Sequence, residues 1–85
     1  EKLELICYNF EGKVKNIYKI QKNVKKFKVY NKKIFTYSEN IINLLHGNKI
    51  DKLYENNNEQ IIDFYVENNN IFILFKNKLI IGQIS

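Results

Sequence analysis

Lysines are concentrated in one part of this sequence. Nine of them lie between Gly12 and Ser38, and that segment contains no acidic residue. The rest of the chain has five lysines and nine acidic residues, so the net positive charge comes from about one third of the length. Tyrosines and a phenylalanine lie among these lysines, a pattern that can hold phosphates and stack on bases. The candidate anion-binding residues are Lys13, Lys15, Lys19, Lys25, Lys26, Lys28, Lys32 and Lys33.

The same lysines have an ordinary structural explanation. The chain contains no arginine, which is the residue best suited to paired contacts with phosphate or guanine. It has fourteen each of Lys, Asn and Ile, a bias typical of AT-rich coding sequence. Lysine on a solvent-exposed strand also discourages edge-to-edge aggregation. The segment therefore indicates either solvated strand faces or a surface for nucleic acid or an acidic protein.

No pattern typical of catalysis, metal binding or cofactor binding occurs. A metal site needs three or four ligands, and a single His46 far from a single Cys7 does not supply them. The three isolated glycines form no phosphate-binding loop, and no serine or threonine lies in a recognisable nucleophile motif. We expect no enzyme, cofactor or small-molecule substrate here, with His46 in a turn and Cys7 in the core.

Composition limits the class of protein. Eighty-five residues, 45% of them hydrophobic, can form one small domain with a core, or part of a larger one. The longest apolar runs have four or five residues, against the ~20 of a transmembrane helix. One cysteine allows no intrachain disulfide and no signal-peptide pattern is present, which favours an intracellular location. Because the chain opens on Glu1, we expect a portion of a longer protein.

Short apolar or alternating segments separated by polar turns predict an all-β fold. Strands joined by such short turns must be antiparallel, because parallel pairing requires a long crossover. We therefore predict an antiparallel meander of about nine strands. The predicted strands span residues 3–10, 14–20, 24–29, 34–37, 41–45, 50–54, 61–66, 71–75 and 79–84.

Residues 38–47 are compatible with two structures. Ser38 could cap a short helix with one apolar face, and Gly47 could end it. The counterpart segment, residues 76–84, has no such capping residues, and its Ile and Leu run between turns suits a strand. We predict a strand in both places.

Residues 61–84 repeat the pattern of the segment 37 residues earlier. Phe64 aligns with Phe27, Ile71 aligns with Ile34, and the Asn-containing turns coincide. Recurrence of this kind is typical of repeat architectures. We predict that all four of these side chains are buried at equivalent positions, and that the apolar run 71–75 is covered.

Four antiparallel strands in about 40 residues resemble a β-propeller blade of the WD-repeat kind. Residues 38–41 and 76–79 are similar to the polar turn that enters the third strand of a blade. Residues 3–13 are similar to the end of a third strand followed by the glycine turn into a fourth. The Gly-His and Trp-Asp dipeptides of that family are absent.

The resemblance implies an organisation and a function. Residues 1–23 would end one blade, 24–60 would form a complete blade, and 61–85 would start the next. The function implied is a non-catalytic scaffold that binds other protein chains or the rest of its own parent protein. A small β-sandwich or barrel is the structural alternative, and binding to nucleic acid or an anionic surface is the functional one.

Overall fold

The computed structural model describes residues 2–84, and in this range it contains nine strands and no helix. All neighbouring strands within a sheet are antiparallel. The all-β meander is therefore confirmed, including the strand at residues 41–46. The strands are β1 (Lys2–Tyr8), β2 (Val14–Gln21), β3 (Lys26–Tyr30), β4 (Lys33–Tyr37), β5 (Ile41–His46), β6 (Lys49–Glu55), β7 (Asp63–Glu67), β8 (Asn70–Leu74) and β9 (Leu79–Gln83).

The strands form three open sheets. The first sheet contains β1 and β2, the second contains β3 to β6 in sequence order, and the third contains β7 to β9. None of these sheets closes into a barrel. The sheets lie within the segments 1–23, 24–60 and 61–85, and their assignment to propeller blades stays a prediction.

Asparagine forms the tight hairpin turns of the second and third sheets. Asn31 and Lys32 connect β3 to β4 with φ of 50° and 63°. Asn68 and Asn69 connect β7 to β8 with φ of 52° and 66°. Two-residue hairpins of type I′ need positive φ at both positions, and asparagine adopts this conformation more readily than most residues. In these two turns asparagine thus adopts the positive φ that glycine provides at Gly12 and Gly47.

The register of the second sheet recurs in the third. Val29 pairs with Ile34 between β3 and β4, and 37 residues later Val66 pairs with Ile71 between β7 and β8. Every pair of β4 with β5 likewise has its counterpart between β8 and β9. Equivalent positions of the two sheets can therefore be compared residue by residue.

The core lies between the second and third sheets. The Phe64 ring packs against Tyr37 and Phe35, with centroids 5.4 and 6.1 Å away, and Tyr54 packs against Phe75. These rings interlock in tilted and edge-to-face arrangements that aromatic pairs favour. The buried cluster consists of Phe35, Tyr37, Ile42, Leu44, Ile61, Phe64, Val66, Ile71, Ile73 and Phe75.

Two predicted core residues lie outside this cluster. Phe64 and Ile71 are buried as predicted, but Phe27 is 60% exposed and Ile34 is only half-buried, so their predicted burial is wrong. Phe27 pairs with Thr36, and this side of the second sheet faces away from the third. The first sheet has only two strands and leaves the β3 part of that side uncovered.

The contrast between Phe64 and Phe27 gives a stability test. Phe64→Ala should lower the free energy of unfolding by about 3–5 kcal/mol, because it removes a ring from the centre of the core. Phe27→Ala, the matched control, should cost less than about 1 kcal/mol, since its ring is largely in solvent. Urea denaturation followed by circular dichroism measures both. Equal losses would contradict the assignment of the core to the second and third sheets.

Candidate interaction surfaces

The eight candidate lysines do not converge on one strand or one face. Lys15 and Lys19 are exposed on the face of β2 opposite buried Tyr18. Lys26 begins β3 and Lys32 lies in the turn that follows β3. At about 3.3 Å per residue, the ends of a five-residue strand are more than 10 Å apart. The candidate residues are thus distributed over two sheets and their turns, and anion binding stays a prediction.

Two of the eight lysines form ion pairs. Lys25 lies 3.6 Å from Glu39 on the surface, and Lys28 lies 2.5 Å from Asp63. Within the part of the chain that the structure describes, the other six form no ion pair. These six are Lys13, Lys15, Lys19, Lys26, Lys32 and Lys33.

Lys28 connects the second sheet to the third. Its Nζ donates to Asp63 Oδ1 at 2.5 Å and to the Phe64 carbonyl oxygen at 2.7 Å, and lies 5.0 Å from the centre of the Phe64 ring. Burial alone lowers the pKa of Lys28, but the hydrogen bond and charge of Asp63 outweigh it, so the pKa is raised. The hydrogen bond from Lys28 lowers the pKa of Asp63, against an opposing effect of burial. The Lys28 ammonium group thus forms its hydrogen bonds within the fold, with residues of the third sheet.

Neither His46 nor Cys7 belongs to a cluster of possible metal ligands among the described residues. His46, predicted in a turn, is the last residue of β5, and its Nε2 lies 2.5 Å from Asp51 Oδ2 at a half-exposed position. Cys7, predicted in the core, is half-buried and free. No group of three His, Cys, Asp or Glu side chains that could hold a metal occurs among residues 2–84.

An open groove of about 510 Å³ lies between the end of β2 and the second sheet. Thr36 and Ser38 line it, together with residues 21–24, Ile41 and Asn43. Thr36 is 1% exposed and its hydroxyl lacks a hydrogen-bond partner among the described residues. The groove lies on the side of the second sheet that the two-stranded first sheet covers only partly, so it is a consequence of that incomplete coverage.

The outer face of the third sheet is an exposed apolar surface. Tyr65 pairs with Phe72, Phe72 with Ile81, and Leu74 with Leu79, so these side chains share one face. All but half-buried Phe72 are exposed, Ile81 by 62%. Contiguous exposed apolar patches mark interaction sites in soluble proteins. We call this group the outer apolar face.

The exposure of this face shows that one prediction, that residues 71–75 are covered, is wrong. In the run 71–75, Ile71, Ile73 and Phe75 are buried, but Leu74 is 43% exposed, so the run is not covered as a whole. A signal for this was present in the sequence: five consecutive apolar residues without alternation indicate a strand whose two faces are both apolar. Such a strand needs a neighbour on each face, and within residues 2–84 only one face has one.

No family model, curated protein or solved structure matches the chain. No helix among residues 2–84 is long and apolar enough to cross a membrane.

The Lys28–Asp63 pair predicts a pH dependence. A lowered Asp63 pKa stabilises the fold above the unfolded value near 3.8, and this contribution is lost as pH falls through the folded pKa. At neutral pH, Asp63→Asn should lower the free energy of unfolding by about 1 kcal/mol or less, since Asp63 is partly solvated. The difference from the unsubstituted chain should shrink below about pH 3.8.

Urea titrations between neutral and acidic pH measure this difference. Glu67→Gln, an exposed carboxylate in the same strand, is the matched control and should show no such convergence. A difference for Asp63→Asn that stays constant as pH falls would contradict the assigned pair.

Proposed function

We propose that this chain is a non-catalytic scaffold for protein–protein interaction. The outer apolar face carries this proposal. It consists of Tyr65, Phe72, Leu74, Leu79 and Ile81, and five large apolar side chains on one side of a sheet need a cover. A packed protein surface is the cover that matches their chemistry.

The composition around this face supports the proposal. Glu67, Asn70 and Gln83 pair in a row at one end of the same sheet, and Asp63 lies at the other end. Protein interfaces typically have an apolar, aromatic centre with few charges and a polar rim. The face has the same arrangement, with Phe72 of the middle strand at its centre between Tyr65 and Ile81.

We propose that the larger assembly is a β-propeller with blades of WD-repeat type. Two features support it: the register that recurs at 37 residues, and a second sheet that has another sheet on each side. Each sheet in such an array stabilises its neighbours through their shared faces. An intracellular location fits the single free cysteine.

The proposal predicts how residues 1–85 behave in isolation. The chain should self-associate through the outer apolar face, and high salt should not dissociate it, because apolar burial is not screened. Leu74→Glu, which places a charge in the face, should shift sedimentation towards the monomer. Ile17→Lys, at an exposed apolar position on the first sheet, is the control and should leave association unchanged.

One result would contradict the predicted self-association. A monomer that unfolds cooperatively at all accessible concentrations would indicate a self-contained domain and would argue against a scaffold segment.

Nucleic-acid or anionic-surface binding is the second candidate function. The six lysines without an ion pair among the described residues favour it. If six phosphates are contacted, affinity for a short labelled DNA duplex should fall about 10³-fold between 50 and 200 mM salt. Substituting Lys32 and Lys33 with Gln should flatten this dependence, whereas the same change at Lys49 and Lys76 should not. Binding too weak to detect at low salt would eliminate this candidate.

A further inference from the structure

We infer that the first sheet opens from the second sheet as a unit, while the second and third sheets stay together. The hinge for this movement is the segment that connects β2 to β3, residues 22–25. Hinge segments absorb changes in φ and ψ between elements that stay intact. The movement goes beyond the proposed function and does not depend on what covers the outer apolar face.

The recurring register shows that the two contacts between sheets differ in polarity. On the face of the third sheet toward the second, Ile73 and Phe75 belong to the buried core and Ile80 packs against it. The equivalent positions of the second sheet, 37 residues earlier, lie on its face toward the first sheet and line the groove there. They are occupied by Thr36, Ser38 and Asn43. We call this contact of the first sheet with the second the polar seam.

Closing the polar seam buries a hydroxyl group without a partner. Thr36 is 1% exposed, and its Oγ1 has no hydrogen-bond partner among the described residues. The end of β2 and the hinge line the same groove, through residues 21–24. A buried hydroxyl without a hydrogen bond is unfavourable, and an open seam would return it to water. Thr36 therefore favours the open position.

The polar seam has little apolar burial to oppose this effect. Of the twelve buried apolar side chains of the described residues, ten belong to the core between the second and third sheets. The other two lie at the seam: Tyr18 in the first sheet, and Leu45 on the same face of the second sheet as Asn43. With its amide oriented to suit this site, Asn16 also donates to the Gly47 carbonyl at 3.1 Å. Regions with few buried apolar contacts open at the lowest free energy, so the seam should open before the core does.

The segments that connect the sheets differ in the same direction. In the connection of the second sheet to the third, the Ile61 N–H donates to the Glu39 carbonyl, and Asn40 Nδ2 donates to two further carbonyls, at 2.7 and 3.2 Å. The hinge is joined to the second sheet at Lys25, whose N–H donates to the Tyr37 carbonyl and whose Nζ lies 3.6 Å from Glu39. A change of backbone angles at residues 22–24 would leave these contacts of Lys25 intact.

Cys7 lies where it can report an open seam. It pairs with Asn16, on the same face as the pair of Leu5 with Tyr18, and all four side chains are buried or half-buried. The side chains on the opposite face of the first sheet are exposed, so Cys7 faces the second sheet. Because Cys7 is the single cysteine of the chain, the rate of its reaction with a thiol reagent follows the opening of the seam.

Hydrogen exchange of the full chain, measured by NMR, tests this inference. Amides of the β1–β2 ladder should exchange about a hundredfold faster than those of the β4–β5 ladder, since local opening requires less free energy than global unfolding. A two-stranded hairpin is only marginally stable once it is separated, so its ladder exchanges when the seam opens.

Thr36→Val replaces the hydroxyl with a methyl group of the same shape. It should slow both the exchange of the β1–β2 ladder and the labelling of Cys7 by about tenfold. Thr36→Ser keeps the hydroxyl, is the matched control, and should slow neither. Circular dichroism checks that both variants fold, and Asn43→Ile, which introduces the residue of the third sheet, replaces Thr36→Val if that one does not.

Two results would overturn the inference. One is equal protection of the β1–β2 and β4–β5 ladders, which would show that the first sheet opens only when the whole chain unfolds. The other is a Thr36→Val variant that slows neither rate, because the hydroxyl would then not be buried by closure of the seam.

Discussion

The contact of the second sheet with the third is the interaction on which the rest of the structure depends. Phe64 lies at its centre, packed against Phe35 and Tyr37 and under the ammonium group of Lys28. Ten of the twelve buried apolar side chains of the described residues belong to this contact, whereas the first sheet contributes one buried residue, Tyr18. A chain of this length buries only about 60% of the surface that it exposes when unfolded. Concentrating that burial at one sheet-to-sheet contact leaves the other faces incompletely covered.

That incomplete coverage connects the fold to the proposed function. Strands such as β8, with apolar residues on both faces, are typical of sheets that lie between two neighbours. In the second sheet both faces have a neighbour, although the two-stranded first sheet leaves Phe27 exposed and a groove open beside Thr36. In the third sheet only the inner face has a neighbour within residues 2–84. The outer apolar face therefore has the character of an interior surface, which is why we interpret it as a contact with other protein.

The sequence predicted the elements well and their burial less well, for a physical reason. Alternation and turn residues act over a few neighbours, so nearly all strands could be located from them, and the comparison with residues 76–84 distinguished strand β5 from a helix. Burial depends on which sheet covers a face. Phe27 and Phe64 occupy equivalent positions in matching strands, yet only Phe64 has a complete sheet above it. The Lys28–Asp63 pair joins residues 35 positions apart, and no local pattern distinguishes Lys28 from its neighbours.

The distribution of charge follows from the same architecture. Three open sheets expose six edges, and a chain without proline must protect them by other means, of which charged side chains are the most available. Lysines on β2 and β3 meet this need, and Lys28 additionally joins two sheets. Their abundance therefore has a structural explanation that requires no anionic ligand. The exception is β9, which is the one edge strand among the described residues without a charged side chain and which carries Leu79 and Ile81 of the outer apolar face.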